Sequence, residues 1–406
     1  MMSQVTKKKN TSELVYYAFL FVVIIHRFLS NTVIEYDWLE NVIMMITFIL
    51  GVFVVIKILS EWRSSWSSMA IVLAIITVGF IAVSNFYITY NYVWEYSLLI
   101  LGAKNIDYKK ILKYYLITVS TLTVFTIVAS LLGIVDNLVF YRNEGGTARY
   151  ALGFIYVTYF CAHLFFLCAS YAFYRGKAIK IFEILGIVAV GAGCYLLSEG
   201  RNSTICIALL VIVILLNKLI NKEEVKAEIL VFIKSILVVF MPLLAVTSIV
   251  LGFLYNPNNK IMSTLNYYMG HRPEMDAEAF ARYRVTLFGQ YFTQKVYVGE
   301  GGVGFPDNYF YIDCSYVSIL LKMGVFALVG LIFAWVFISY AECKKNNILG
   351  GCVLAVVAIH CFMEQNILNI SYNPFLLMLF ASEGIGQLGF VDGIRAKTPI
   401  FSRIET

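Results

Sequence analysis

Apolar runs follow one another along almost the whole chain, near residues 14–30, 41–59, 69–84, 87–102, 112–134, 151–174, 179–197, 204–220, 229–254, 314–340, 347–368 and 371–388. A helix needs roughly 17–25 apolar residues to cross the hydrocarbon of a bilayer. Within lipid, every backbone N–H and C=O must find its partner inside the protein, and for runs of this length the solution is helical. The sequence therefore predicts an all-α polytopic membrane protein with about twelve transmembrane helices, one for each run. The pair at 69–84 and 87–102 is short and closely joined. Composition agrees: 60% of residues are hydrophobic and 14% charged, against about 25% charged in soluble domains. A net charge of +6 is modest and does not suggest a nucleic-acid partner.

The start, "KKKNTSELVYYAFLFVVIIHRFL", has the basic end and apolar centre of a secretion signal. No small-residue cleavage site follows, so it is expected to stay as the first helix. Lysine and arginine in short loops mark the cytoplasmic side. Lys7, Lys8 and Lys9 place the N-terminus there, and "GAKNIDYKKILK", "YRGKAIK", "NKLINKEEVKAE" and "AECKKNN" then fall on the same side. "IEYDWLEN", without a basic residue, falls outside, and "GIRAKTPIFSR" puts the C-terminus in the cytoplasm. The chain reads as one transmembrane domain, 1–406, with a large extracellular loop at 255–313.

That threading separates the two basic residue types. Almost all lysines are cytoplasmic, while Arg27, Arg142, Arg149, Arg201, Arg272, Arg282 and Arg284 reach the outer side from at least four places. The positive-inside rule accounts for the lysines and disfavours these arginines. A guanidinium binds phosphate or carboxylate with two parallel hydrogen bonds, whereas an ammonium is a point charge. The outer arginines point to an anion bound on that face; the alternative is a set of unrelated, solvated loop charges.

Within the loop, "LNYYMGHRPEMDAEAFARYRVTLFGQ" has the grammar of a short amphipathic helix. Pro273 suits its first turn, Glu274, Asp276 and Glu278 its N-terminal half, and Gly289 its end. Phe280, Tyr283 and Leu287 share one helical face, with Arg284 at its edge. Such a helix would lie on the membrane or cap a cavity. "LLSEGRNST" joins two spans so tightly that Arg201 is held near membrane depth, with Glu199 as a candidate partner. Asp313, Ser315 and Tyr316 stand at the mouth of the next span, behind an aromatic belt of Tyr309, Phe310 and Tyr311; Asp313 either caps that helix or serves as a site carboxylate. Glu364 lies at the outer end of the eleventh run, where an ionisable group is a functional-site candidate.

His163, His360 and Glu383 lie in or near spans with nothing further to support them. The eight cysteines are scattered, form no CxxC or Cys/His metal spacing, and read as small core residues. The glycines of "VGEGGVGF" lack the lysine and serine of a phosphate-binding loop and read as a turn. No metal-protease, Ser-His-Asp, dinucleotide or nucleotide-sugar motif stands out, so no metal and no cofactor is expected. An outward site of this kind, remote from nucleotides, suits a substrate that carries its own leaving group, such as a lipid diphosphate. Arginines would stabilise the departing diphosphate and a carboxylate or His would take a proton from the attacking hydroxyl.

These stretches resemble the Wzy-type repeat-unit polymerases of capsule, exopolysaccharide and O-antigen synthesis. The resemblance rests on Leu265 and Asn266, His271 and Arg272, Leu287 to Gly289, and Asp313 with Ser315 and Tyr316. Ser198 and Arg201 resemble that family's Ser-x-x-Arg turn, and Glu364 to Pro374 its C-terminal element. His271 departs from the pattern, in which a small residue is commoner. The resemblance implies a glycosyltransferase joining undecaprenyl-diphosphate-linked oligosaccharide repeats on the outer face of a bacterial cytoplasmic membrane, with inversion and without metal. Its catalytic candidates are Asp313, Glu364 and His271, in that order. With the outer arginines added, the substrate-binding candidates are Arg201, Arg272, Arg284, Arg149, Arg142, Asn266, Ser315 and Tyr316. Its partners are the lipid-linked oligosaccharide, the bilayer, and flippase and chain-length regulator proteins. A ligase attaching finished glycan to an acceptor, and a lipid-linked oligosaccharide flippase or transporter, are the alternatives.

Overall fold

The computed structural model describes residues 2–34, 37–65, 92–142, 145–219, 226–293 and 310–381, together with 71, 74, 75, 78, 79, 302 and 303. Its helices are α1 (Met2–Leu29), α2 (Asp37–Ser65), α3 (Tyr92–Gly102), α4 (Tyr108–Leu131), α5 (Val157–Arg175), α6 (Ile181–Ser198), α7 (Arg201–Leu219) and α8 (Ala227–Leu254). They are followed by α9 (Lys260–Tyr268), α10 (Arg272–Arg282), α11 (Ser315–Met323), α12 (Val325–Lys344) and α13 (Ile348–Met363). Among the described residues, eight helices are long and apolar enough to cross a membrane, and α3 and α13 are shorter apolar helices. The protein is thus an all-α, multi-pass membrane protein in its architecture. The expected spans at 69–84 and in the second half of 371–388 lie largely outside the described residues, as do Tyr309, Glu383 and the basic C-terminal tail.

Side-chain distribution follows from the solvent. α8 leaves Val231, Phe232, Val239, Leu243 and Val246 on its outside, where in water they would be costly and in lipid they are matched. Its inner face, with Met241, Ala245 and Ser248, packs beside α12 and α13. Local caps are legible: the Asp107 carboxylate accepts from Lys109 N at 2.8 Å and Lys110 N at 3.3 Å to start α4. Asn259 and Asn347 start α9 and α13 in the same way. None of the eight cysteines is in a disulfide, and all but Cys352 are buried.

The bundle has two chemically different poles. At one, Lys57, two turns before the end of α2, donates to Gly102 O at 2.9 Å and Lys104 O at 2.8 Å, at and just beyond the end of α3. At the other, the C-terminal ends of α1, α6, α8 and α13 gather with the loop helices α9 and α10. A small sheet caps that pole: β1 (Val139–Tyr141) pairs antiparallel with β2 (Arg149–Tyr150) and parallel with β3 (Gly302–Val303). The hydropathy pattern gave no sign of this sheet, because strands of two or three residues have no readable period.

Three expectations need correction. The run 314–340 is not one helix. It breaks at Gly324, whose φ of 90° and ψ of 175° belong to a region open essentially to glycine alone. The break is filled by residues 286–290: Val325 N donates to Thr286 O at 2.9 Å, Phe326 N to Leu287 O at 3.2 Å and Gln290 N to Lys322 O at 3.2 Å. For the same reason the loop helix does not run to Gly289. α10 stops at Arg282, Tyr283 turns extended, and the stretch that seemed to continue the amphipathic face becomes the wedge, leaving Leu287 exposed.

The described part of the run 371–388 is not an α-helix either. Residues 366–381 enter the bundle as turns and a 3-10 helix, Phe375–Leu379, almost wholly buried. Asn369, Asn373 and Pro374 interrupt helical pairing here. The carbonyls so released are met by tyrosines of neighbouring helices: Tyr115 OH donates to Ser371 O at 3.2 Å and to Tyr372 O, and Tyr96 OH donates to Asn373 O. Irregular backbone at membrane depth survives only when buried in protein and satisfied in this manner.

Gly324→Ala is expected to lower thermal stability in detergent by about 1–3 kcal/mol. A Cβ there would lie 2.6 Å from Leu287 O and 2.5 Å from Gly289 N. Gly330→Ala, six residues on with open space around it, should leave the melting temperature unchanged. Equal stability of the two variants would show that the wedge does not hold the break.

Candidate functional site

The site begins with how one loop arginine is aimed. Gly270 and His271 both adopt positive φ, 65° each, which turns the chain sharply between α9 and α10. Pro273 in the first turn of α10 then fixes the helix start. α10 docks on the end of α8, where Phe280 stacks on Phe253 with centroids 4.0 Å apart. This pose carries Arg272 across to the end of α13. Its Nε donates to Met363 O at 2.7 Å and one Nη to Met269 O at 3.1 Å. The other Nη lies 3.4 Å from Glu364 Oε1 and 3.5 Å from Asp313 Oδ2. Three distant stretches of sequence, the 255–313 loop, the residues before α11 and the end of α13, thus converge on one guanidinium.

Asp313 does not cap α11, because Cys314 is the capping residue and the Asp313 carboxylate faces Arg272 instead. Glu364 leaves the helix in extended conformation just past α13, and Asn202 near the start of α7 donates to His360 O at 3.4 Å, one turn before it. Ser315 Oγ donates to Glu364 O at 2.6 Å, and Tyr316 OH donates to Ala358 O at 2.8 Å. Both hydroxyls therefore tie α11 to α13 and set the spacing of the two carboxylates.

A third carboxyl was missed in the sequence. Asp276, which by sequence suits the N-terminal half of a helix, lies on the buried face of α10 with Pro273 and Ala279, one turn beyond Arg272. Its spacing of four from Arg272 on a face that also carries Phe280 was the available signal. Burial holds all three acids toward their protonated forms. Glu364 is pushed up to about 8 by burial and by the Asp313 charge, with Arg272 opposing. Asp313 is raised by burial, again opposed by Arg272. Asp276 is raised well above the usual range by burial and by Asp313. One guanidinium cannot balance three ionised carboxylates in so dry a place, so protons are retained among them.

Beside this cluster lies an arginine group. The β1–β2 turn brings Arg149 against the end of α6, where its buried Nε donates to Ser198 O at 3.0 Å. Ser198 Oγ returns a bond to Tyr150 O at 2.6 Å. Glu199, held in left-handed conformation with φ 46°, pairs with Arg142 at 2.9 Å. It does not pair with Arg201, as its neighbouring position suggested. Arg201 starts α7, is exposed, and makes no ion pair among the described residues. The charges of Arg149 and Arg201 both act on Arg142, lowering its affinity for its proton after burial has done the same. Tyr156, not singled out in the sequence, lies within the fields of both Arg149 and the acids Asp313 and Glu364.

The remaining candidates stand apart. His271 is largely exposed, with Nδ1 3.0 Å from Glu274. Asn266 is buried beneath it and braces the same turn, donating to Glu274 Oε2 at 2.9 Å and Tyr255 OH at 3.1 Å while accepting from Glu274 N. Arg284 is exposed beyond the end of α10. His360 meets Ser203 Oγ at 3.1 Å and stacks on Phe165, as a core residue would. Among the described residues, no group of three or more His, Cys, Asp or Glu is arranged to hold a metal ion. No protein-family model, curated protein or solved structure matches the chain.

The raised carboxyls give stability a definite pH dependence. A carboxyl whose pKa is raised on folding stabilises the protein below its unfolded value near 4.5, and that stability is lost as pH rises toward the folded value of about 8. Glu364→Gln removes the titration while keeping the shape, so its melting temperature should gain on wild type progressively from pH 5 to pH 8 (about a few degrees). A constant offset across that range would mean that Glu364 is already ionised at pH 5.

Proposed function

We propose that the chain is a polysaccharide polymerase, a glycosyltransferase that joins undecaprenyl-diphosphate-linked oligosaccharide repeats on the outer face of a bacterial cytoplasmic membrane. The observation that carries this reading is the meeting of Arg272, Asp313 and Glu364 beside Arg142, Arg149 and Arg201 at one pole of an apolar bundle. On this reading there are about twelve membrane passages. The last enters as the non-helical 366–381 segment, both termini are cytoplasmic, and the site pole faces outward. The lysines at the opposite pole support that orientation.

The chemistry follows from the charges. The growing chain is the donor, bonded through its anomeric carbon to a lipid diphosphate. The hydroxyl of the incoming repeat unit attacks that carbon from the face opposite the diphosphate. The new glycosidic bond forms as the bond from carbon to diphosphate oxygen breaks, and configuration inverts. The leaving oxygen takes the electron pair, and the exposed Arg201 with Arg142 and Arg149 stabilises its charge. Asp313 takes the hydroxyl proton. It is the better base of the pair, because Glu364, deeper and pushed up to about 8, keeps its own proton at neutral pH. Burial raises Asp313, and Arg272, 3.5 Å away, opposes that rise and fixes the direction of the carboxylate. The partners on this reading are the lipid-linked repeat unit, the bilayer, and the flippase and chain-length regulator that precede and limit polymerisation.

A strain deleted for the gene should accumulate single lipid-linked repeat units on the outer leaflet without a polymer ladder. Wild type should restore the ladder, Asp313→Asn should polymerise about 10²–10⁴-fold more slowly, and Arg272→Ala should fail. Full-length polymer left unattached would instead identify a ligase, and repeat units held on the cytoplasmic leaflet a flippase.

A further inference from the structure

The depth at which the Arg272 loop meets the bilayer is set by α8. Near the start of that helix, Lys234 Nζ donates to Asn346 Oδ1 in the turn between α12 and α13, at the pole opposite the site. A paired lysine on a lipid-facing helix marks the edge of the hydrocarbon. Residues 235–254 carry no charge and rise about 30 Å as a helix, which matches the hydrocarbon core of a bilayer. α8 therefore leaves that core near its end, where Phe253 and Leu254 are still exposed. α9 starts at Lys260, one short turn later.

This helix has three faces. At about 100° per residue, Met262 and Asn266 share one side with Met269 just past the helix end, and these are its least exposed residues. Ile261, Leu265 and Tyr268 form a second side and are 73%, 44% and 79% exposed. Lys260, Ser263 and Tyr267 form the third. Packing against protein uses only the first side, and solvation by water suits only the third. An apolar side between them belongs to a helix lying in an interface plane, where a tyrosine ring is also at home. Past Arg272 the same loop returns to the lipid-facing surface. Leu287 and Phe288 are exposed, and Phe288 packs on the exposed Phe326 at the start of α12, with ring centroids 5.1 Å apart. α12 lies beside α8, so the two contacts continue one lipid-facing surface. α10, between them, turns Phe280 to Phe253 and leaves Ala281 and Arg282 exposed.

We propose that α9 is an interfacial anchor, lying in the bilayer surface at the site pole with phospholipid as its partner. Ile261, Leu265 and Tyr268 lie among the upper acyl chains, while Lys260, Ser263 and Tyr267 face water. Only Gly270 and His271 separate Met269, the residue capping α9, from Arg272. The anchor therefore holds the guanidinium turn close to headgroup depth. On the polymerase reading that is the depth of a lipid diphosphate; the anchor itself does not rest on that reading.

The test uses the full-length protein in phosphatidylglycerol–phosphatidylethanolamine liposomes that contain a phospholipid with a diazirine in its acyl chain. On illumination, the carbene should insert into Ile261, Leu265 or Tyr268 of the wild-type chain and spare Lys260, Ser263 and Tyr267, as read by peptide mass spectrometry. Nitroxides placed singly at the same six positions give a second readout. The seven buried cysteines do not compete for the label, and Cys352→Ala removes the eighth. Collision with oxygen, relative to collision with an aqueous nickel chelate, should be severalfold higher at 261, 265 and 268 than at 260, 263 and 267. No insertion within 260–268, with all six nitroxides open to the nickel chelate, would overturn the proposal. Shielding of 261, 265 and 268 from both reagents in a protein of dimer mass would overturn it too, and would put a second copy on that face. If α9 contacts lipid as described while the deletion strain still makes its full ladder, the anchor stands and the polymerase reading fails. If the ladder is lost and α9 lies in water, the reverse holds.

Discussion

A guanidinium placed among two buried carboxyls and a half-buried third is the interaction on which the rest of this structure depends. Removing a charge from water costs several kcal/mol unless a partner and hydrogen bonds replace the lost solvation. Arg272 meets that condition with two backbone carbonyls and two carboxylates, from segments that are otherwise unrelated. The cluster therefore does two things at once. It docks the long loop onto the bundle, and it leaves acids with mismatched proton affinities beside a group of arginines, which is the arrangement that acid–base chemistry needs.

Much of the surrounding fold serves to hold that cluster in register. The positive-φ turn at Gly270 and His271 aims Arg272, while Asn266 and Glu274 brace it from below. The break at Gly324 lets residues 286–290 insert between α11 and α12, and so anchors the far end of the same loop. Ser315 and Tyr316 tie α11 to α13. Beyond Glu364 the chain continues as buried irregular backbone supported by Tyr96 and Tyr115, so the acid sits at the entrance to a segment with little freedom to move.

The bilayer's demands made the long apolar helices readable in the sequence, because hydropathy depends only on local composition. The site residues Arg272, Asp313 and Glu364 were legible for a related reason: charge near membrane depth is costly and so conspicuous. What escaped was set by tertiary contact. Asp276 carries only a weak local signal, its four-residue spacing from Arg272 on the face of Phe280, and reads as readily as an acid favouring the helix dipole. Glu199 stands two residues from Arg201, yet the turn that houses it points it at Arg142 from the β1–β2 connection. The helix break is written in Gly324, but a glycine in an apolar run reads equally well as a packing residue. Likewise, the apolar letters of 371–381 describe burial correctly and say nothing of the tyrosine hydroxyls that make a helix unnecessary there.

Reconstitution tests the central claim most directly. Purified protein in liposomes, given an undecaprenyl-diphosphate-linked repeat unit as its sole substrate, should lengthen the glycan and release one undecaprenyl diphosphate for each linkage formed. Arg272→Ala in the same liposomes should do neither. Movement of the intact lipid-linked unit across the membrane with no diphosphate released would contradict the account, as would linkage formation undiminished in Arg272→Ala.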